Sequence, residues 1–381
     1  MYWNIFTYRT LRNGICATAS ALLLIACSLV DEDNDDCTKA GEQPGSAIAF
    51  TVSDDGDSTA LTRTAPNTLT LDGSGTNELK LQDEGFGVFA SHTGFHPYVS
   101  STTTSNLMWN QKVAYDNSRS QWDYTPTAYW PYTEDGLDEY VTFFAYAPYS
   151  DGSTDDHAAC IVDFSLPGET GDPWLVYQLG GTMYADGAEG WKARQVDLLY
   201  DFQKDQKKPD TPAGVVSFSF KHALACVGDR ITVTCSDALQ TQLKNLSNIS
   251  GSAVTLTLNT LRLDYELTQK GKLILNGKTQ PNWQTVNSGD VLVHRLLVLN
   301  PDHILATATS ASACTLTDYT ATDQGVFYIP IQVGANTQKL TATAYYTLST
   351  GDEGAIATTI NLDSVTDSGT GRNLNLSLSL P

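Results

Sequence analysis

Tyr140-Val141-Thr142-Phe143-Phe144-Ala145-Tyr146-Ala147 is an unbroken run of apolar, aromatic and β-branched side chains, closed by Pro148. A run of this length and composition with a breaker at its end reads as a buried β-strand. Phe86-Gly87-Val88-Phe89-Ala90 reads the same way. Elsewhere the pattern is alternation: Ile48, Phe50 and Val52, then Leu69 and Leu71, then Val254-Thr255-Leu256-Thr257-Leu258. Short runs of this kind recur between clusters of Gly, Pro, Asn, Asp and Ser, and the fold class they predict is all-β.

Helical periodicity is scarce. The best candidate is Asp237 to Asn248, where Leu239, Leu243 and Leu246 follow a Ser236/Asp237 cap. A composition break falls at Asp201 to Gly214, where Lys204-Asp205-Gln206-Lys207-Lys208-Pro209-Asp210-Thr211-Pro212 holds almost nothing apolar and reads as a linker or long loop. Trp and Tyr abound before it; Leu, Thr and Val dominate after it. The 381 residues allow two domains, so the expectation is a β-sandwich at 46–205 and a second at 213–381. Near the end of the chain Leu374, Leu376, Leu378 and Leu380 alternate strictly with polar residues, the pattern of an edge strand or of a donor strand.

At the other end, Arg9 and Arg12 precede a short apolar stretch that closes on Leu24-Ile25-Ala26-Cys27. A basic start, about a dozen mostly apolar or small residues and a small residue before Cys read as a secretory signal of the lipoprotein type. Residues 1–26 are then the signal peptide and Cys27 the site of lipid attachment. A membrane-spanning anchor needs roughly 20 apolar residues, more than this run holds. The basic flank and terminal position speak against a buried helix. Residues 27–45 carry the acidic run Asp31-Glu32-Asp33-Asn34-Asp35-Asp36 and read as a solvated tether.

The formal net charge is −21, which repels nucleic acid and acidic headgroups and excludes nucleic acid as a main partner. The five cysteines beyond Cys27 (Cys37, Cys160, Cys226, Cys235, Cys314) are at no metal-ligand spacing. A two-residue turn at Gly228-Asp229 would leave Cys226 and Cys235 out of register, so no disulfide is expected between them.

No residue pattern points to catalysis, a cofactor or a metal. Asp367-Ser368-Gly369-Thr370 matches an aspartic-protease string but lacks the second carboxylate that such chemistry needs. Asp54-Asp55-Gly56-Asp57 and Asp72-Gly73-Ser74-Gly75-Thr76-Asn77-Glu78 lack EF-hand spacing and read as turns. His92, His96, His157, His222, His294 and His303 form no zinc motif, and His92 and His96 read as surface residues of a Gly/Pro-bearing loop. The crowd Trp109, Tyr115, Trp122, Tyr124, Tyr129, Trp130 and Tyr132 has two readings: exposed rings of a glycan-binding platform, or rings filling a sandwich core, which is favoured.

Several strings together resemble the fimbrillin-like (Mfa-like) family of Bacteroidetes fimbrial subunit lipoproteins. They run from Gly85 to Ala90, through Asn106-Leu107-Met108-Trp109-Asn110-Gln111-Lys112-Val113, Trp122-Asp123-Tyr124-Thr125-Pro126, Tyr129-Trp130-Pro131 and Val141 to Tyr149. Val216 to Leu224, Phe327-Tyr328-Ile329-Pro330-Ile331-Gln332 and Leu340 to Leu348 continue the series. Each is a short string; their order and spacing behind a lipobox carry the resemblance.

The resemblance implies two transthyretin-like β-sandwich domains in tandem and a structural subunit of surface fimbriae. Its implied partners are other copies or related subunits, the outer membrane through the lipid before processing, and a host or bacterial surface ligand. It further implies removal of the first strand by an arginine-directed cut, after which a strand of the next subunit fills the groove. Arg63, followed by Thr64, falls where that cut is expected and is the only Arg between Cys27 and Arg119; an ordinary exposed loop residue is the other reading. Ser46 to Val52 would be the strand removed, and Leu374 to Leu380 the donor, a role compatible with an edge strand of its own domain. The different class of function left open is a surface glycan-binding lipoprotein of a nutrient-uptake system.

Overall fold

Both faces of Tyr140–Ala147 are covered, which explains its unbroken apolar run. Val141, Phe143, Ala145 and Ala147 enter one core with Phe86, Val88 and Ala90. Phe144 and Tyr146 point the other way into a second core with Phe89 and Tyr200. A strand with one wet face alternates; one between two cores has no reason to.

The computed structural model describes residues 46–52, 68–71, 79–131, 139–153, 160–179, 195–208, 214–286, 292–310, 312–331, 337–362 and, for backbone alone, 371–378. All belong to one compact unit, Gly45–Pro381. In chain order the strands are β1 (Ala49–Val52), β2 (Leu69–Thr70), β3 (Leu79–Lys80), β4 (Phe86–Gly94), β5 (Met108–Asp116), β6 (Gln121–Asp123), β7 (Tyr140–Ala147), β8 (Ile161–Phe164), β9 (Trp174–Gln178), β10 (Leu199–Gln206), β11 (Val215–Phe218) and β12 (Lys221–His222). There follow β13 (Ala225–Cys235), β14 (Val254–Thr268), β15 (Lys270–Ile274), β16 (Asn282–Gln284), β17 (Leu292–Leu299), β18 (His303–Ser310), β19 (Ala313–Leu316), β20 (Tyr319–Thr322), β21 (Val326–Tyr328), β22 (Lys339–Leu348), β23 (Glu353–Asn361) and β24 (Gly371–Leu378). The chain is all-β, as its alternation predicts.

The central sheet runs β12-β10-β7-β4-β5-β6. The order β19-β18-β14-β22-β23, with β17 also on β14, forms a second large sheet. As far as Leu267, buried and half-buried residues alternate along β14 except at Asn259-Thr260, where the pairing with β22 slips. The slip keeps Leu258 and Leu261 both inward, each fully buried. A third sheet, β16-β15-β9-β8, joins strands from both sides of residues 209–213, as does the parallel pair β1-β11.

Helix Asp237–Ser250 matches the expected amphipathic segment and runs two residues further, to a Gly251 in the left-handed conformation at φ 65°. The Ser236 hydroxyl accepts from the Leu239 amide at 3.3 Å, the predicted cap. Leu239 and Leu243 are buried against the core that β14 and β18 share.

One local expectation is corrected. The polar stretch from Asp201 is not loop throughout: as far as Gln206 it is β10, paired antiparallel with β7. Its Phe202 stacks on Phe144 at 5.2 Å, and the Asp201 carboxylate accepts from the Ser219 amide at 2.8 Å. Ladder bonds come from the main chain, so a polar sequence can hold a place in a sheet. Gly228-Asp229, weighed only as a possible turn, lie within a strand. β13 continues through them, pairing with β21 at one end and β20 at the other. Gly228, at φ 87°, absorbs the irregularity as a bend. Cys226 and Cys235 are buried at opposite ends of that strand, and among the described residues neither they nor Cys160 and Cys314 are in a disulfide; Cys37 lies outside the described residues.

Candidate functional site

Ile48, Phe50 and Val52 alternate in sequence, and the structure places them in a narrow seat. On one side β1 pairs in parallel with β11, Phe50 opposite Val216 and Val52 opposite Phe218. On the other, Ala47 bridges antiparallel to Tyr129. Here the Ile48 amide donates to the Ala128 carbonyl at 3.0 Å, and the Trp130 amide donates to the Ser46 carbonyl at 3.0 Å. The segment 46–52 is thus held by main-chain bonds on both flanks, to β11 along β1 and to Ala128–Trp130 just before it.

Its inward side chains fill the floor. Ile48 is 1% exposed and Phe50 5%. At about 1.5–3 kcal/mol for full burial of a large apolar side chain, the two contribute roughly 3–6 kcal/mol gross. Four rings surround Phe50: Tyr124 at 5.3 Å, Phe218 at 5.6 Å, Phe143 at 5.9 Å and Phe86 at 6.2 Å between centroids. Phe218 is stacked, while Phe86 and Phe143 meet Phe50 edge-on, geometries that aromatic quadrupoles favour.

Two polar contacts close the seat. Tyr124 donates its hydroxyl to the Ile48 carbonyl at 2.7 Å, and burial pushes its pKa up to about 12. The buried Trp130 indole donates to the Gly214 carbonyl at 2.9 Å. Gly214 has φ 73°, and a Cβ there would lie 3.1 Å from that indole nitrogen. These wall residues escaped the sequence reading as a group. Val216 to Phe220 showed as a strand and Tyr124 as a core ring, but nothing local says that they meet Phe50.

The other expected residues divide as follows. Cys27, Arg63, Thr64 and Leu380 lie outside the described residues. Arg63 falls between Val52 and Thr68, so a cut after it leaves β1 on the upstream piece. Leu374, Leu376 and Leu378 belong to β24, which pairs in parallel with β13 opposite Ile231, Val233 and Cys235. Of the aromatic crowd, Tyr124 and Trp130 are buried, and Trp122 packs edge-on against Phe86. Trp109 is 38% exposed and Tyr129 49%. Trp109 leans on Phe164 and donates its indole N–H to the Ser165 carbonyl. Most of the described crowd is therefore core and brace. Tyr132 lies outside the described residues.

His92 is in β4 rather than in a loop, and bonds Glu139. His222 and Asp197 form a fully buried pair at 2.5 Å. Among the described residues no three His, Cys, Asp or Glu side chains are placed to share a metal. His157, the two acidic turn stretches and Asp367 to Thr370 lie outside them.

Comparison with known proteins bears on most of the chain. A fimbrium subunit of Phocaeicola vulgatus, Fim1C, is 29% identical over 153 residues, covering 38% of this chain and 36% of that protein's length. The chain thus matches little more than a third of that relative. A candidate cell adhesion protein of Bacteroides uniformis superposes with a TM-score of 0.37 at 14% identity, covering 84% of this chain and 93% of its own. One from Parabacteroides distasonis gives 0.36 at 9% identity, covering 87% and 88%. The family profile described as fimbrillin-like matches residues 62–367. That span holds the central sheet, β11 and the leucine-rich second half, and on it this chain belongs to the fimbrillin-like family.

Proposed function

We propose that the chain is a structural subunit of cell-surface fimbriae, assembled by β-strand exchange and contributing to adhesion. The observation that carries this reading is the seating of 46–52: a short segment on the amino-terminal side of Arg63, held on both flanks and buried through Ile48 and Phe50. Removing it bares main-chain donors and acceptors on β11 and on Ala128–Trp130, together with the ring-lined floor. A strand from another subunit restores both the ladder and the burial. Before the cut, β1 caps its own groove and the subunit stays monomeric.

In the same scheme Cys27 carries a lipid that holds the precursor at the outer membrane, and the cut at Arg63–Thr64 discards anchor and cap together. The two halves, 46–205 and 213–381, act in the fibre as two sandwich units that share strands across 209–213. The strand Leu374 to Leu380 is the candidate donor, held beside β13 until it is given up.

The test is sizing of the full chain before and after an arginine-directed cut, with Arg63→Ala as the uncut control. Multimers are expected from the cut parent only. Deletion of Asn373 to Pro381 should stop growth while leaving cutting intact. A cut chain that stays monomeric with unchanged stability refutes strand exchange, and a deletion variant that polymerises normally removes the donor role.

A further inference from the structure

Among the inward positions of β1, the Phe50 position is the most specific. Its four ring walls come from separate parts of the chain: Phe86 on β4, Phe143 on β7, Phe218 on β11, and Tyr124 just past β6. β4 and β7 are neighbours in the middle of the central sheet, and both have side chains in the two cores. Close-packed walls of this kind relax only partly when their contents shrink. The pocket is therefore fixed in size and set for a flat ring. The positions two residues to either side hold the β-branched Ile48 and Val52, of which Ile48 is buried and Val52 half-buried.

The strand Leu374 to Leu380 does not carry that pattern. Its alternate residues are all leucine, so every register puts Leu, or else Asn or Ser, at the ring pocket. Its place in this structure is beside β13, opposite Ile231, Val233 and Cys235, none of them aromatic.

We infer that the groove under β1 selects a donor strand with an aromatic residue at its central inward position and a β-branched residue two places to each side, running parallel to β11. The leucine strand of a second copy can complete the same ladder but fills the ring pocket less well, so a strand of that pattern is preferred over it. This inference rests on the strand-exchange reading above and names the side-chain chemistry of the partner.

The test uses the full chain with residues 61–64 replaced by the site of a sequence-specific protease. After cutting, labelled peptides are titrated and followed by fluorescence anisotropy. Residues 46–52, the same peptide carrying Phe50→Leu, and residues 373–380 make the three arms. The first is expected to bind on the order of tenfold more tightly than either of the others. Equal or tighter binding of the Phe50→Leu peptide or of 373–380 overturns the selectivity but leaves strand exchange standing. Binding of no peptide after the upstream piece has left overturns strand exchange, and the selectivity with it. If the upstream piece stays seated after cutting, its release rate is read instead. Phe50→Leu in the full chain should speed release on the order of tenfold, and an unchanged rate overturns the inference.

Discussion

Phe50 and Phe218 stack with centroids 5.6 Å apart and 23° between their planes, although one lies near the start of the described chain and the other beyond its middle. The parallel pairing of β1 and β11 brings them together, setting Phe50 opposite Val216 and Val52 opposite Phe218. That contact ties the strand upstream of Arg63 to the rest of the molecule.

Phe50→Ala leaves a cavity between four rings. Such truncations in a close-packed core cost about 3–5 kcal/mol. The expected result is a lower denaturant midpoint and loss of hydrogen-exchange protection at Ala47 to Val52, with protection of β7 and β14 retained. Unaltered protection of β1 would show that the ring does not hold the strand.

Tyr124→Phe keeps the ring and removes the hydroxyl that donates to the Ile48 carbonyl. One such bond contributes about 1 kcal/mol net, and β1 should exchange faster by a corresponding amount. The pH dependence has a definite sign. Burial raises the folded-state pKa of Tyr124 from 10.0 to about 12, so the folded chain keeps a proton that the unfolded chain loses first. The stability from this group is fully present below pH 10 and is lost as pH rises through the window to about 12. Other buried tyrosines, Tyr200 and Tyr265 among them, shift in the same direction. Tyr124→Phe should therefore make the alkaline loss shallower without abolishing it, which pH-resolved urea unfolding measures.

Gly214→Ala puts a methyl group at a left-handed backbone position and 3.1 Å from the Trp130 indole nitrogen. Backbone strain of that type costs on the order of 1–3 kcal/mol. The expected readout is a lower melting temperature together with a shift in tryptophan emission as the Trp130 bond to the Gly214 carbonyl loosens. A variant with native stability and emission would mean that the turn adapts freely.

Ser236→Ala serves as a control remote from the seat. Loss of the cap on helix Asp237–Ser250 costs about 1 kcal/mol. Exchange should quicken in the first turn of the helix, with β1 release after cutting unchanged. Faster release of β1 would reveal coupling between the helix and the groove.

How much could be read beforehand varies by element. Helix Asp237–Ser250 was legible because its signals are local: a serine cap and leucines repeating at helical spacing. The strand β7 was legible from its apolar run, but not the reason for the run, since the second core that covers it is supplied by distant residues. Asp201 to Gln206 was misread because the ladder that holds β10 uses main-chain groups common to every residue type.

The sequence alone determined the all-β class, the helix and the alternation of Ile48, Phe50 and Val52, because periodicity and capping are written over a few consecutive residues. Only the tertiary structure decided that β1 lies parallel to β11, that Ala128 to Trp130 hold the residues just before it, and that four rings enclose Phe50. Strand pairing joins residues far apart in the chain through bonds indifferent to side-chain identity. The partner is chosen by packing of the whole assembly, which no short window of sequence contains.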